Sequence, residues 1–418
     1  NAYTIVISSA DATANALFDA SALSTIGGKT TATLDASAVT AITGNYDEIV
    51  ALYETEGVIG INDKPLSISD TLTIEKANLI YGLTEGVVTA TIGNFRVSDL
   101  VTPFSLGGTP LLNAKGNNAY TIVIPSEDAA VSASDLNAIN DLTTVAVDLT
   151  NVTSITSSSL VDLGTLSSAI NSDEFSNNSG ITTIAVSDTT IDATTLASTI
   201  DAYDSINGSG TTDMTLASGA TINVDASEVT HMLLDETQNR LDIVDQNIVV
   251  TGNISVDEAN LLSATTEGTV TASITTTESI TELKTLTETT NAYTIVISSA
   301  DATANAEDLS AIDGKTTATI DATAVTAISG SYDQITALYG SAGVDNLGDE
   351  SITLTDNLTV TQANVIDGLT TGAVTAVIDP TESVDSLKTL TGTNNSYTIV
   401  IATGDATGRT AADFNTIN

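Results

Sequence analysis

Residues Thr30–Gly44 read TTATLDASAVTAITG, and Thr316–Gly330 repeat them as TTATIDATAVTAISG. Between the copies Leu34 becomes Ile320, Ser37 becomes Thr323 and Thr43 becomes Ser329. The alternation Thr31-Ala32-Thr33-Leu34 has the period of a strand with one buried face. Asp35 and Ser37 then offer side-chain oxygens where a helix could start, Val39 and Ile42 continue at helical spacing, and Gly44 is a stop signal. The stretch predicts a strand, a cap and a helix, a unit that returns in looser form along the whole chain.

A longer repeat frames these units. Asn1–Ala16, NAYTIVISSADATANA, is identical to Asn291–Ala306, NAYTIVI recurs at Asn118, and NSYTIVI stands at Asn395. The chain divides into blocks 1–117, 118–290 and 291–394, with a fourth begun at 395–418. The first block holds four strand-led units, from Thr4, Thr31, Leu66 and Val88, and the third has the same four, from Thr294, Thr317, Ser351 and Val374. The middle block holds six: units from Thr121 and Val145, one from Thr183, a less regular one near Met214, and units from Ile248 and Val270. Immunoglobulin-like sandwiches also suit a period of about 100 residues, but a sandwich does not absorb two more internal units. A solenoid does, because each coil touches only its neighbours. Leu196, Ile200 and Tyr203, then Ile280, Leu283 and Leu286, then Val384, Leu387 and Leu390 have the spacing of helices or 3₁₀ turns between the strands.

The expected fold class is therefore α/β: a right-handed β–α solenoid with one continuous parallel sheet and short helices or 3₁₀ turns behind it. Tandem immunoglobulin-like β-sandwiches are the alternative. Strands are expected at Thr4–Ile7, Thr31–Leu34, Val88–Ile92, Thr121–Ile124, Val270–Ile274, Thr317–Ile320 and Val374–Ile378. Ala32 with Leu34, Ala272 with Ile274, Ala318 with Ile320 and Ala376 with Ile378 should face the helices. A second helical stretch, Tyr46–Tyr53, should bulge outward.

Composition narrows the function. The chain of 418 residues has 53 acidic and 10 basic side chains and a net charge of -43, which disfavours nucleic acid and anionic membrane surfaces as partners. A hydrophobic content of 41% is too high for a disordered acidic chain, and 4% aromatics makes the core one of Ala, Val, Ile and Leu. With no cysteine there is neither a disulfide scaffold nor a thiolate metal site. No apolar run approaches the ~20 residues of a membrane-spanning helix, so no membrane insertion is expected.

The acids at strand ends, Asp35, Asp70, Asp148, Asp188, Asp225, Asp321, Asp356 and Asp379, read as helix N-caps. Their second reading is a ladder of carboxylates on coils stacked ~4.8 Å apart, with Asp35, Asp148, Asp225 and Asp321 as weak Ca²⁺ ligands. Ca²⁺ would be the one cofactor, although EF-hand and nonapeptide calcium motifs are both missing. On the other strand face Thr31 and Thr33, Thr89 and Thr91, Thr271 and Ser273, Thr317 and Thr319, and Thr353 and Thr355 would align into hydroxyl rows. Such rows are a solvated face or a flat docking surface for another copy, a glycan or a mineral, and they resemble the arrays of ice-binding solenoids. Tyr3, Tyr120, Tyr293 and Tyr397 are equivalent and should pack beside the strands, with sugar stacking as their other use. His231 is the single histidine, so no catalytic triad or multi-histidine metal site can form. Gly28-Lys29-Thr30 and Gly314-Lys315-Thr316 lack the first glycine of a phosphate loop and precede strands. Paired carboxylates occur throughout and single out no glycosidase site. Sequons stand at Asn151, Asn207, Asn253 and Asn357. No catalytic residue is assigned, and the chain reads as a non-enzyme.

The pattern Asp-[Leu/Ala]-x-x-Ile-[Asp/Asn]-[Gly/Asp]-x-Thr-Thr-x-x-[Val/Ile]-Asp, fullest at Asp308–Asp321 and Asp135–Asp148, resembles the Thr/Ala/Asp-rich repeats of very large surface and extracellular proteins of marine cyanobacteria. The resemblance implies a secreted structural or adhesive role at the cell surface, in a fibre, a filament or a surface layer, and supplies no catalytic residues. The expected partners are further copies, end to end or side by side, and glycans if the chain is instead an adhesin or tail-fibre module. The chain opens on a repeat start and stops after the helix pattern Ala411–Ile417, so further blocks or head-to-tail copies are expected beyond it.

Overall fold

The computed structural model describes residues 2–14, 17–101, 110–113, 116–207 and 213–417. Every strand pairing among them is parallel, and helices alternate with single strands or with pairs of short strands along the chain. This establishes the α/β class and excludes the sandwich alternative, whose strands pair antiparallel. The residues form two compact units. One comprises 1–189, 195–217 and 235–242, the other 190–194, 218–234 and 243–418.

The first unit carries four sheets. One pairs Ile5–Val6 with Leu34–Asp35 and Val58–Ile59; a second runs from Phe18–Asp19 through Ile42–Gly44, Leu66–Leu72 and Val88–Ile92 to Ala119–Ile122. A bridge from Val123 to Asp148 leads to the pair Val147–Asp148 and Phe175–Ser176, and a fourth sheet runs from Ala130–Val131 to Leu241–Asp242. The second unit carries two, one of seven strands from Thr190–Asp192 to Val344–Asp345 and one of five from Thr303–Asn305 to Ser396–Thr398.

The single continuous sheet expected from sequence is thus divided into six. The division originates in the quoted stretch. Leu34–Asp35 is a strand, the Asp35 carboxylate turns back to accept the Ser37 N–H at 2.9 Å, and Ile42–Gly44 forms a second strand where a helix was expected. Val39, Thr40, Ile42 and Thr43 are β-branched and favour the extended chain. The helix begins only after Asn45, which closes a capping box with Glu48. Each such coil therefore contributes two short strands to two sheets. The copy at Thr316–Gly330 does the same, with strands Ile320–Asp321 and Ala327–Gly330 and a capping box from Ser331 to Gln334.

The strands Val88–Ile92, Val270–Ile274 and Val374–Ile378 have the boundaries expected from sequence; the others shift by one to three residues. Tyr46–Glu54 does not bulge outward: Ile49 and Leu52 are fully buried and the helix takes its place in the helix layer. Leu196, Ile200 and Tyr203 line the buried side of helix Ala193–Asn207.

The identical segments Asn1–Ala16 and Asn291–Ala306 fold differently. In the second, Thr303–Asn305 is the strand that pairs with Ala327–Ser329; in the first, Ser9–Ala14 is helical and Phe18–Asp19 takes the strand position. The cause is Leu17–Ala20, four residues the second copy lacks. They bring Phe18 opposite Ile42, the place Ala304 holds opposite Ile328, and Asp19 caps the next helix through the Ala22 N–H.

Candidate functional site

The eight strand-end acids fall into two groups. Asp35, Asp148, Asp225, Asp321 and Asp379 each bond within their own turn, to the N–H of Ser37, Thr150, Ser227, Thr323 and Thr381. The hydroxyls of Ser37, Thr150, Ser227, Thr323 and Thr381 bond to the same carboxylates, and Asn177 and Asn346 add amide donors to Asp148 and Asp321. These bonds hold the carboxyls below their ordinary value, with the neighbouring Ser or Thr hydroxyl the leading cause at Asp35, Asp225 and Asp321 and the backbone N–H at Asp379.

The other group reaches across coils. Asp70 accepts the Tyr46 N–H at 2.9 Å, Asp188 the Leu160 N–H at 2.7 Å, and Asp356 the Tyr332 N–H at 3.1 Å. Tyr46, Leu160 and Tyr332 are the first residues of helices in the coil before. Asp128, Asp301, Glu382 and Asp405 do the same for Val97, Ile280, Val360 and Val384, and the Ser158 hydroxyl for Ala133. A helix leaves its first N–H groups unpaired and its N-terminus electropositive, so an acid from the next coil satisfies both needs. Bulges aim several of these groups. Thr71 pairs with Thr91 after Ser67 pairs with Thr89, and Asn357 pairs with Val377 after Thr353 pairs with Thr375, which leaves Asp70 and Asp356 inside the two-residue excess.

This arrangement replaces the carboxylate ladder. The register neighbours of Asp35 are Val6 and Ile59, those of Asp148 are Val123 and Ser176, and that of Asp225 is Thr251; Asp321 alone of the four stands beside an acid, Asp345. The four Ca²⁺ candidates are therefore not brought together, and among the described residues no group of three or more acids and histidines is placed to hold a metal ion.

The NAYTIVI motif has a structural role that sequence reading missed. Asn118, Asn291 and Asn395 each accept the N–H of Val88, Val270 or Val374 from the preceding coil and donate to the hydroxyl of the tyrosine two residues on. Tyr120 and Tyr293 are buried, so no sugar stacks on them; Tyr397 is half-buried and Tyr3 exposed. Burial pushes the Tyr120 and Tyr397 hydroxyls well above the ordinary value, the latter to about 12. Helix residues Asn78, Asn260 and Asn364 form a second staple, each holding a carbonyl and an N–H of the next coil.

The outward hydroxyls align only in part. Thr71, Thr91 and Thr121 stand abreast in the first unit, and Ser329, Thr353, Thr375 and Ser396 in the second, whereas Thr31, Thr33, Thr317 and Thr319 precede the strands Leu34–Asp35 and Ile320–Asp321. Gly28 and Gly314 are the C-caps of helices Ala20–Gly27 and Ala306–Asp313, so each Gly-Lys-Thr follows a helix where a phosphate loop would precede one. His231 is exposed on helix Val229–Thr237. Asn253 and Asn357 are exposed, Asn151 donates its amide to the Ile124 carbonyl, and the Asn207 side chain lies outside the described residues.

The irregular middle holds an ion cluster instead of a repeat contact. Arg240 bonds to Asp204 at 2.7 Å, to Asp201 at 3.3 Å and to the almost fully buried Asp235. Buried charges of this kind demand pairing, and the cluster reads as structural. No helix of the described residues is long and apolar enough to cross a membrane. In comparisons with known proteins, no family model, curated protein or solved structure matches the chain.

Proposed function

We propose that the chain is a right-handed β–α solenoid and a secreted, non-catalytic structural repeat protein of an extracellular fibre, filament or cell-surface layer. The observation that carries this reading is the cross-coil capping. Helices in successive coils receive an acceptor from the coil that follows, at separations of 21 to 31 residues. A chain built this way lengthens by adding like coils, each satisfying the last, and its chemistry is spent on contacts between coils. The repeated geometry of its amides and acids suits a stack: Asn118 and Asn291 are buried among strands, and the acids that would be ligands are turn and helix caps. The partners are further copies of the same kind of coil. Glycan binding has less support, since two of the four equivalent tyrosines are buried.

Imaging the native material, together with the mass of the intact native chain, tests the reading. Long filaments or sheets are expected. Isolated particles of 42.5 kDa that neither extend nor associate at micromolar concentration overturn it.

A further inference from the structure

Five asparagines whose side chains are described begin the sequence Asn-x-[Ser/Thr]: Asn151, Asn177, Asn253, Asn357 and Asn394. The fold separates them into two kinds. Asn151 donates its amide to the Ile124 carbonyl at 2.8 Å, Asn177 to the Asp148 carboxylate at 3.0 Å and Asn394 to the Thr371 carbonyl at 3.3 Å. Asn253 and Asn357 are exposed, and their side-chain amides meet no partner among the described residues.

These two hold the same place in their blocks. Asn253 stands opposite Ser273 and Asn357 opposite Val377, each just past a bulge in which its strand carries two residues more than the neighbour. Ile254 and Leu358, the next residues, are buried, so strand alternation turns both asparagines outward. Two residues on, Ser255 and Thr359 are the N-caps of helices Val256–Thr265 and Val360–Asp367, and their hydroxyls accept the Glu258 and Gln362 N–H groups at 3.2 Å.

We infer that Asn253 and Asn357 are N-glycosylation sites, each taking the sugar of an activated glycosyl diphosphate. The C1–O bond of the donor sugar breaks and a C1–N bond to the asparagine Nδ2 forms. The diphosphate leaves with the electron pair of the broken bond, and the amide gives up one proton. The hydroxyl that completes each acceptor is held in a cap in the folded chain, so transfer precedes closure of that cap. At Asn253 and Asn357 the sugar then projects from the outward face at no cost in hydrogen bonds. At Asn151, Asn177 and Asn394 it would crowd a bond between coils. The inference deepens the reading of the chain as a secreted protein and rests on it.

Peptide mapping of the native chain by mass spectrometry tests this. Peptides spanning Asn253 and Asn357 are expected to carry a sugar mass on the asparagine, and those spanning Asn151, Asn177 and Asn394 none. An Asn253→Gln, Asn357→Gln double variant made in the same source should lose that mass and keep its circular dichroism, since neither amide supports the fold. A native chain in which either asparagine is wholly bare, or in which the three bonded asparagines carry sugar, overturns the inference. If native filaments are built of chains bare at both positions, this inference alone falls; if the sugars are present and the chain occurs only as isolated particles, the fibre reading falls instead.

Discussion

Replacing Asp356 by alanine removes one cross-coil cap and leaves the rest of its coil in place. Both carboxylate oxygens lie within reach of the Tyr332 N–H, at 3.1 and 3.2 Å. Loss of a capping acceptor costs about 1 kcal/mol, and loss of the negative charge at a helix N-terminus adds roughly 0.3–1 kcal/mol. Asp356 is exposed, so water hydrates the freed N–H and the total stays near 1 kcal/mol. Local opening at Tyr332 should then be about fivefold more frequent. Residue-resolved amide exchange reads this directly: the Tyr332 amide exchanges about fivefold faster in Asp356→Ala, while Asp356→Asn, which keeps an oxygen acceptor, changes less. Asp379→Ala is the control, because that carboxylate bonds to Thr381 in its own turn. An unchanged Tyr332 rate in Asp356→Ala refutes the claim that one coil caps the helix of the one before.

Three further outcomes are expected. In Gly268→Ala the new methyl would meet the Gln246 carbonyl oxygen at 2.2 Å, so chemical denaturation should show a loss of about 1–3 kcal/mol, whereas Gly164→Ala, in open space inside helix Leu160–Asn171, should gain about 0.5–1 kcal/mol. The melting temperature should rise with salt as the net charge of -43 is screened, with no extra rise for Ca²⁺ at equal ionic strength; a specific calcium increment would restore the metal reading of Asp35, Asp148, Asp225 and Asp321. The Asp321 carboxyl is held below its ordinary 3.8 by Thr323 and Asn346, so its contribution is present in full above that value and is lost as pH falls through the lower folded value. The stability difference between wild type and Asp321→Ala should accordingly shrink on acidification below pH 3.8, and a difference that grows there contradicts the assignment.

Much of the architecture was legible because the buried strands alternate cleanly. Val88–Ile92, Val270–Ile274 and Val374–Ile378 place every second residue in the core, and their limits follow from that period. The quoted stretch misled because Asp-x-Ser serves equally as a helix cap and as a turn between strands. The decisive signal lay just beyond it, in the Asn45-x-x-Glu48 and Ser331-x-x-Gln334 boxes that mark where the helices begin. The role of Asp70, Asp188 and Asp356 was hidden for another reason. Their partners are 24 to 28 residues away, and local spacing carries no sign of a bond made across a coil. Asn118 and Asn291 were recognisable as repeated residues, but only burial distinguishes a staple inside the stack from a surface amide.

The backward reach of the capping acids gives the chain a direction in time as well as in space. A polypeptide leaves the ribosome from its N-terminal end at about 5–20 residues per second. A helix such as Ile280–Leu283 emerges before Asp301, and Val97–Val101 before Asp128, so each waits 21 to 31 residues for its acceptor. That interval corresponds to roughly one to six seconds of synthesis. Folding during translation would then advance as a front trailing the exit by about one coil, with only the newest helix left open to mispairing.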